Sequence, residues 1–199
     1  MNIVLIGPHG VGKTSFGRAL AEELRIPFHD EIGWRLAQDP AFRPRDTYPA
    51  DTQERFDEEV FRCELERDRE AAIPRVVETW HPGNLAYAAH RSPGVVGRFL
   101  TEIEEVCTQT QIVVIPLTAP VEVLARRKHE AGDLDFFIEV GREAERWARH
   151  LGLPLLEEIA THESSPRVLA RKVVSMVLPN WKTSEWSVPG RRREGQVIG

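Results

Sequence analysis

Cysteine is scarce in this sequence: among 199 residues there are two, Cys63 and Cys107. Two thiols without CxxC spacing make neither a disulfide framework nor a zinc site, and they fit unpaired structural thiols in a cytoplasmic setting. Long apolar runs are missing as well. No segment approaches the ~18 consecutive apolar residues of a membrane span. The apolar run Ile3-Val4-Leu5-Ile6 leads straight into a glycine-rich turn, so neither a membrane span nor a secretory signal is expected. Positive charge is in deficit, with a net charge of −5 at pH 7. General nucleic-acid binding needs a basic face to displace counterions, and none is expected here. What remains is ordinary for a globular chain: 41% apolar and 29% charged residues, in a length that suits one domain.

The apolar pattern switches repeatedly between strand-like runs and helical spacing. Ile3-Val4-Leu5-Ile6, closed by glycine, predicts a buried strand. Phe16, Leu20 and Leu24 recur at four-residue spacing and predict a helix from Lys13. Pro27-Phe28-His29-Asp30 reads as a short second strand, and the proline-rich residues 38–51 as a loop. Asp51 with Glu54 opens a charged helix expected to reach about Ala72. A third strand follows over 75–78, then helices over 85–90 and 95–108; in the latter Val96, Phe99, Leu100, Ile103 and Val106 share a face. A fourth strand is expected over 112–117, helices from Pro120 and from about Phe136, and a weaker fifth strand over 153–159. Ser165-Pro166 starts a last helix, serine at the cap and proline at the first helical position. Such alternation predicts an α/β chain, a five-stranded parallel sheet with helices on both faces. Residues 1–178 are expected to form the domain. Residues 179–199, with Trp181, Trp186 and Arg191-Arg192-Arg193, read as an extended or partly disordered tail.

Between the first strand and the first helix, Gly7-Pro8-His9-Gly10-Val11-Gly12-Lys13-Thr14 satisfies GxxxxGK[ST], the phosphate-loop motif. Glycines let the backbone turn tightly and aim successive N–H groups inward. The helix starting at Lys13 adds the positive end of its dipole. Gly7 to Ser15 is therefore the expected triphosphate site of a three-layer P-loop fold. Lys13 is expected on the β- and γ-phosphates, and the Thr14 hydroxyl on magnesium. His9 lies inside the loop, where backbone amides do the binding, and reads as a spacer.

Further absences narrow the class. The sequence has no Asn-Lys-x-Asp, which guanine-specific switches carry. The fourth strand runs into Thr118-Ala119-Pro120, without the acid that motor-type ATPases place there. An acid does close the third strand, at Glu78. This pattern points to a kinase that uses ATP with Mg2+.

The stretch Val76-Val77-Glu78-Thr79-Trp80-His81-Pro82-Gly83-Asn84-Leu85-Ala86-Tyr87 resembles the thymidylate kinase family. There an Asp-Arg-Tyr triplet closes a strand and Leu-Ala-Tyr opens a helix; Glu78 matches the acid and Trp80 the aromatic residue. Residues 120–126 are similar to the segment that leads into that family's lid, and Gly132-Asp133-Leu134-Asp135 is similar to the short lid itself. Two positions depart: Thr79 and Phe136 stand where the family has arginines that contact phosphate. Arg62, Arg67 and Arg69 are candidate substitutes, or partners of the glutamates on their own helix. Phe28-His29-Asp30-Glu31 is similar to other small P-loop kinases, in which an acid after the second strand binds an acceptor hydroxyl.

The resemblance implies a strand order of 2-3-1-4-5 with ligands at the carboxyl ends of the strands. It implies catalytic roles for Lys13, Glu78, Arg126 and Arg127, and acceptor contacts from Asp30, Glu31, Arg62, Arg67, Trp80 and Asn84. The expected reaction moves the γ-phosphoryl of ATP to a nucleotide, nucleoside or similar small acceptor. The alternatives are a metabolite or cofactor-precursor kinase, and an ATP-binding regulatory module with little phosphotransfer. A homodimer is left open.

Overall fold

The structure is a computed structural model that describes residues 2–40, 50–70, 74–127 and 133–181. Five strands form one parallel sheet: β1 (Asn2–Ile6), β2 (Phe28–His29), β3 (Arg75–Glu78), β4 (Ile112–Thr118) and β5 (Ile159–Ala160). Their order is β2-β3-β1-β4-β5, as expected. The helices are α1 (Lys13–Leu24), α2 (Ile32–Ala37), α3 (Ala50–Glu70), α4 (Trp80–Arg91), α5 (Pro93–Gln109), α6 (Val121–Arg127), α7 (Leu134–His150) and α8 (Pro166–Trp181).

The alternation of side chains along β1 builds the layers. Val4 and Ile6 enter a core with Trp80, Leu85, Ile103, Val140 and Ala144, contributed by α4, α5 and α7. Ile3 and Leu5 enter the opposite core with Phe16 and Leu20 of α1 and Leu169 and Val173 of α8. Every residue of β1 is buried, which is why a central parallel strand reads as an unbroken apolar run. Each Leu, Ile or Val placed in these cores stabilises the fold by about 1.5–3 kcal/mol. The two cores fix the carboxyl ends of β1 and β3 side by side, and the site forms there.

Three local expectations need correction. The fifth strand shrinks from 153–159 to Ile159–Ala160, preceded by an isolated bridge between Leu155 and Val114. Pro154 has no N–H for a ladder, and Glu157 and Glu158 are exposed. The helix expected from Leu85 starts at Trp80, because Pro82 falls in the first turn, where its missing N–H is not needed. Helix α2 was not anticipated; Ile32, 2% exposed, anchors it against Phe56 and Val60 of α3.

The last helix passes the boundary expected at residue 178 and ends at Trp181. Residues 41–49 of the proline-rich loop, the helix end at Ala72, the Asp51 side chain, Gly132 of the lid and the tail over 182–199 lie outside the described residues. Asp133 caps α7, accepting from the Asp135 N–H at 2.9 Å, so Leu134 and Asp135 of the expected lid are already helical. Both cysteines are free, Cys107 buried and Cys63 partly so. Among the described residues no helix is long and apolar enough to cross a membrane.

Candidate active site

The glycine motif occupies the turn between β1 and α1. At Gly7 φ is +140°, and a Cβ there would lie 2.4 Å from the Leu117 carbonyl oxygen, so only glycine fits. Helix α7 approaches the loop from the side: a Cβ on Gly141 would come within 2.8 Å of the Pro8 nitrogen. Lys13 Nζ curls over the loop and donates to the carbonyls of Gly7 (3.0 Å) and Pro8 (3.3 Å). Arg127 Nη1 donates to the Val11 carbonyl (3.2 Å) and to Thr161 Oγ1 (3.3 Å), which ties α6 and the turn after β5 to the loop.

Leu5 pairs with Glu78 across the β1–β3 ladder, which sets the last residue of β3 beside the loop. Thr14 Oγ1 donates to the Glu78 carboxylate, 2.9 Å from Oε2 and 3.0 Å from Oε1. Burial pushes the Glu78 carboxyl above its usual range, the Lys13 ammonium opposes this, and the negative charge of Glu31 adds to it. The hydroxyl and carboxylate are hard oxygen donors lying together. That is a donor set suited to Mg2+, which takes one or two protein oxygens and fills its octahedron with phosphate and water.

The turn after Glu78 is strained. Thr79 and Trp80 hold φ of +70° and +49°, which non-glycine residues rarely adopt. The Thr79 N–H donates to the Leu5 carbonyl at 2.9 Å, and the Trp80 side chain is fully buried. Trp80 Nε1 donates to Asp68 at 3.1 Å, and the same carboxylate takes Arg75 and His81. This buried cluster fixes the turn so that Thr79 Oγ1 donates to Glu31 Oε2 at 2.8 Å.

A cavity of about 850 Å³ runs from the loop, beside Phe137, past Glu78 to Asp30, Glu31, Trp34, Phe56, Asn84, Tyr87 and Arg91. Asn84 Nδ2 donates to Glu64 Oε2 at 3.3 Å. The Arg91 guanidinium is held by Asp57 through both Nε and Nη2, and lies 5.3 Å from the ring centre of Phe56 and 5.1 Å from that of Tyr87.

The structure brings together on this cavity His9, Gly10, Gly12, Lys13, Thr14, Ser15, Asp30, Glu31, Glu78, Asn84 and Arg127. His9 packs against the Phe137 ring at 5.0 Å. Gly7, Pro8 and Val11 shape the loop from behind.

Five candidate site residues fall elsewhere. Arg126 is exposed at the end of α6, off the cavity, because its neighbour Arg127 takes the inward position. Arg62 is exposed and paired with Glu59 and Glu66 on its own helix. Arg67 is held by the buried Glu64 and by the Asp30 carbonyl at 3.0 Å, and Arg69 by Glu102. Trp80 is 0% exposed and holds the turn from within the core, so it offers no surface to a ligand.

Sequence reasoning missed Trp34, Arg91, Phe137 and Thr161. Arg91 was within reach: Asn84, Tyr87 and Arg91 lie three and then four residues apart, on one face of α4.

The 2-3-1-4-5 parallel sheet with a glycine loop after its central strand defines a P-loop nucleoside triphosphate-binding protein. A family model described as an AAA domain matches residues 2–130, and the chain belongs to that family. It is 29% identical over 181 residues to shikimate kinase 2 of Escherichia coli O81 (strain ED1a), covering 88% of this chain and 84% of that one. With the shikimate kinase of Pseudomonas fluorescens (strain Pf0-1) the match is 59% identical over 29 residues, 15% of this chain and 17% of that relative's length. A solved deoxyadenosine kinase from M. mycoides with bound dCTP shares the fold at a TM-score of 0.64, with 10% identity, covering 90% of this chain and 100% of that one.

Proposed function

We propose that this protein is an ATP-dependent phosphotransferase that moves the γ-phosphoryl group of ATP to a hydroxyl of a small acceptor. The observation that carries the reading is the continuity of one cavity from Lys13, Thr14 and Glu78 to the carboxylates of Asp30 and Glu31. A phosphate-binding loop alone serves binding modules as well as enzymes. A carboxylate held at the far end of the same cavity is what an attacking hydroxyl needs.

In this reading the loop amides and Lys13 bind the β- and γ-phosphates and neutralise charge that builds up during transfer. Thr14 and Glu78 hold Mg2+, which when bound screens the phosphate oxygens. Arg127 closes the side of the loop beside Thr161. Glu31 accepts the proton of the acceptor hydroxyl, oriented by Thr79, so a residue that departs from the thymidylate kinase pattern gains a role of its own. Asp30 serves less well, being exposed and paired with Arg18 at 3.2 Å. Asn84 offers an amide to the acceptor. ATP is the proposed donor, on the absence of a guanine-specific motif. The thymidylate kinase resemblance extends to the Glu78 turn and the opening of α4.

The test is product analysis. Purified protein with γ-labelled ATP, Mg2+ and a panel of nucleosides, nucleotides and hydroxy acids should yield ADP and one labelled acceptor in equal amounts. Triphosphate binding with no labelled product from any acceptor would leave a binding module and sink the reading. GTP competing better than ATP would reverse the assignment of the donor.

A further inference from the structure

The cavity has ends of opposite electrical character. At the loop, Lys13 and Arg127 are hydrogen-bonded to backbone carbonyls and a hydroxyl, an arrangement that leaves cationic charge for phosphates. At the other end Glu31 and Asp30 supply carboxylates, Asp30 in an ion pair with Arg18, and Glu78 stands between the two ends. Among the described residues that line this end, each arginine already has an acidic partner: Arg18 has Asp30, and Arg91 has Asp57. Arg91 is further occupied by the rings of Phe56 and Tyr87 on which it lies. Outside an amide nest such as the phosphate loop, an entering phosphate or carboxylate is favoured by an arginine or lysine free to meet it. The walls suit something else. Trp34 is a large apolar side chain left 51% exposed, and it lines the same cavity as Phe56 and Tyr87.

Resting on the phosphotransferase reading, we infer that the acceptor carries no anionic group and is a flat ring bearing sugar hydroxyls, that is, a nucleoside rather than a nucleoside monophosphate or a hydroxy acid. The ring lies among the aromatic side chains. The Asn84 amide meets its polar edge. A sugar hydroxyl donates to Glu31, which keeps its position through Thr79. A monophosphate in the same pose brings two negative charges against the carboxylate of Glu31, whereas an uncharged nucleoside enters without that repulsion.

The experiment is calorimetry on the full chain, loaded with Mg2+ and a non-hydrolysable ATP analogue. The ligands are ribo- and deoxynucleosides of the four bases, their 5′-monophosphates, and shikimate as a carboxylated hydroxyl compound. At about 0.1 M salt at least one nucleoside should bind tenfold or more tightly than its own monophosphate and than shikimate. The ratio should shrink at about 0.5 M salt, because screening weakens the repulsion. Asp57→Asn frees Arg91 and should raise monophosphate affinity severalfold with analogue affinity unchanged; a melting curve checks that the variant is folded, and if it is not, the wild-type ratios decide.

The inference is overturned if a monophosphate or shikimate binds as tightly as the best nucleoside, or if no nucleoside binds. Mass analysis of products with ATP separates the two readings. A nucleoside that binds but is never phosphorylated removes the phosphotransferase and leaves the ligand class. A phosphorylated monophosphate does the reverse.

Discussion

The donor end of the cavity is made of backbone, and the acceptor end is made of side chains. Gly7 to Ser15 form one continuous stretch whose amides, glycines and helix start bind phosphate by geometry that any P-loop chain reproduces. The acceptor end gathers Glu31 from the start of α2, Phe56 from α3, and Asn84 and Arg91 from α4, with Asp57 of α3 holding Arg91 from behind. The first end is therefore general and tolerant of what lies beyond the triphosphate. The second is specific, and it depends on pairs such as Thr79–Glu31 and Asp57–Arg91 that are far apart in the chain.

The largest expected effect tests the donor end. Lys13→Ala removes the cation on the loop and should lower turnover by roughly 10²–10³-fold or more, comparable to losing a main charge-stabilising group. The melting temperature should hold, since Lys13 faces the cavity. Near wild-type turnover in the folded variant would break the assignment of this end.

Glu78 stands where the two ends meet. Glu78→Gln keeps the shape and removes the charge, and turnover should fall at least roughly tenfold, about 1.4 kcal/mol of barrier, with ATP affinity little changed. Stability should move the other way. Burial raises the Glu78 pKa above its unfolded value, so the native state holds this proton to higher pH than the unfolded chain does. The stability associated with that proton is present at low pH and is lost as pH rises through the raised pKa. The glutamine variant, with no proton to lose, should show a flatter melting profile over that window. A variant with unchanged turnover and a lowered melting point would make Glu78 a structural cap.

A smaller effect sharpens the acceptor end. Thr79→Val is nearly isosteric and removes one hydrogen bond to Glu31, so kcat should drop about threefold to tenfold with the KM for ATP unchanged. Equal changes in both parameters would mean that the turn itself had shifted. The smallest effect belongs to Arg62→Ala: an exposed arginine paired along its own helix should leave kcat, KM and melting temperature within error of wild type.

The contrast also explains what could be read from residues alone. The strands and the phosphate loop were legible because both rest on local signals: buried runs, glycine spacing, and a lysine at a helix start; the strand order came through the resemblance. Asp30, Glu31, Glu78 and Asn84, which line the cavity, were picked out because strand ends point at the ligand in open parallel sheets, or through a resemblance that reaches them. Arg62, Arg67 and Trp80 were misplaced because sequence cannot distinguish a cation aimed at a ligand from one closed on a neighbouring glutamate. Nor can it distinguish an aromatic wall from an aromatic anchor. Trp34 and Phe137 were invisible since α2 was not foreseen and since Phe137 fell inside a stretch read only as a helix. Thr79 was read as a lost arginine; the Glu31 partner that gives it a use lies a strand and two helices earlier in the chain.

The close pass of Gly141 against Pro8 has a bearing on how this protein tolerates change. Glycine in the middle of a helix is an obvious target for stabilisation, and alanine there would ordinarily gain up to about 1 kcal/mol from helix propensity. Here the added methyl meets the backbone of the phosphate loop, not solvent. The clash costs stability as well as loop geometry, so selection for heat resistance and selection for catalysis would both hold position 141 at glycine. A library sorted on melting temperature would discard alanine there as firmly as one sorted on ATP use. A residue in α7, outside the glycine motif, would then be constrained as tightly as the motif itself.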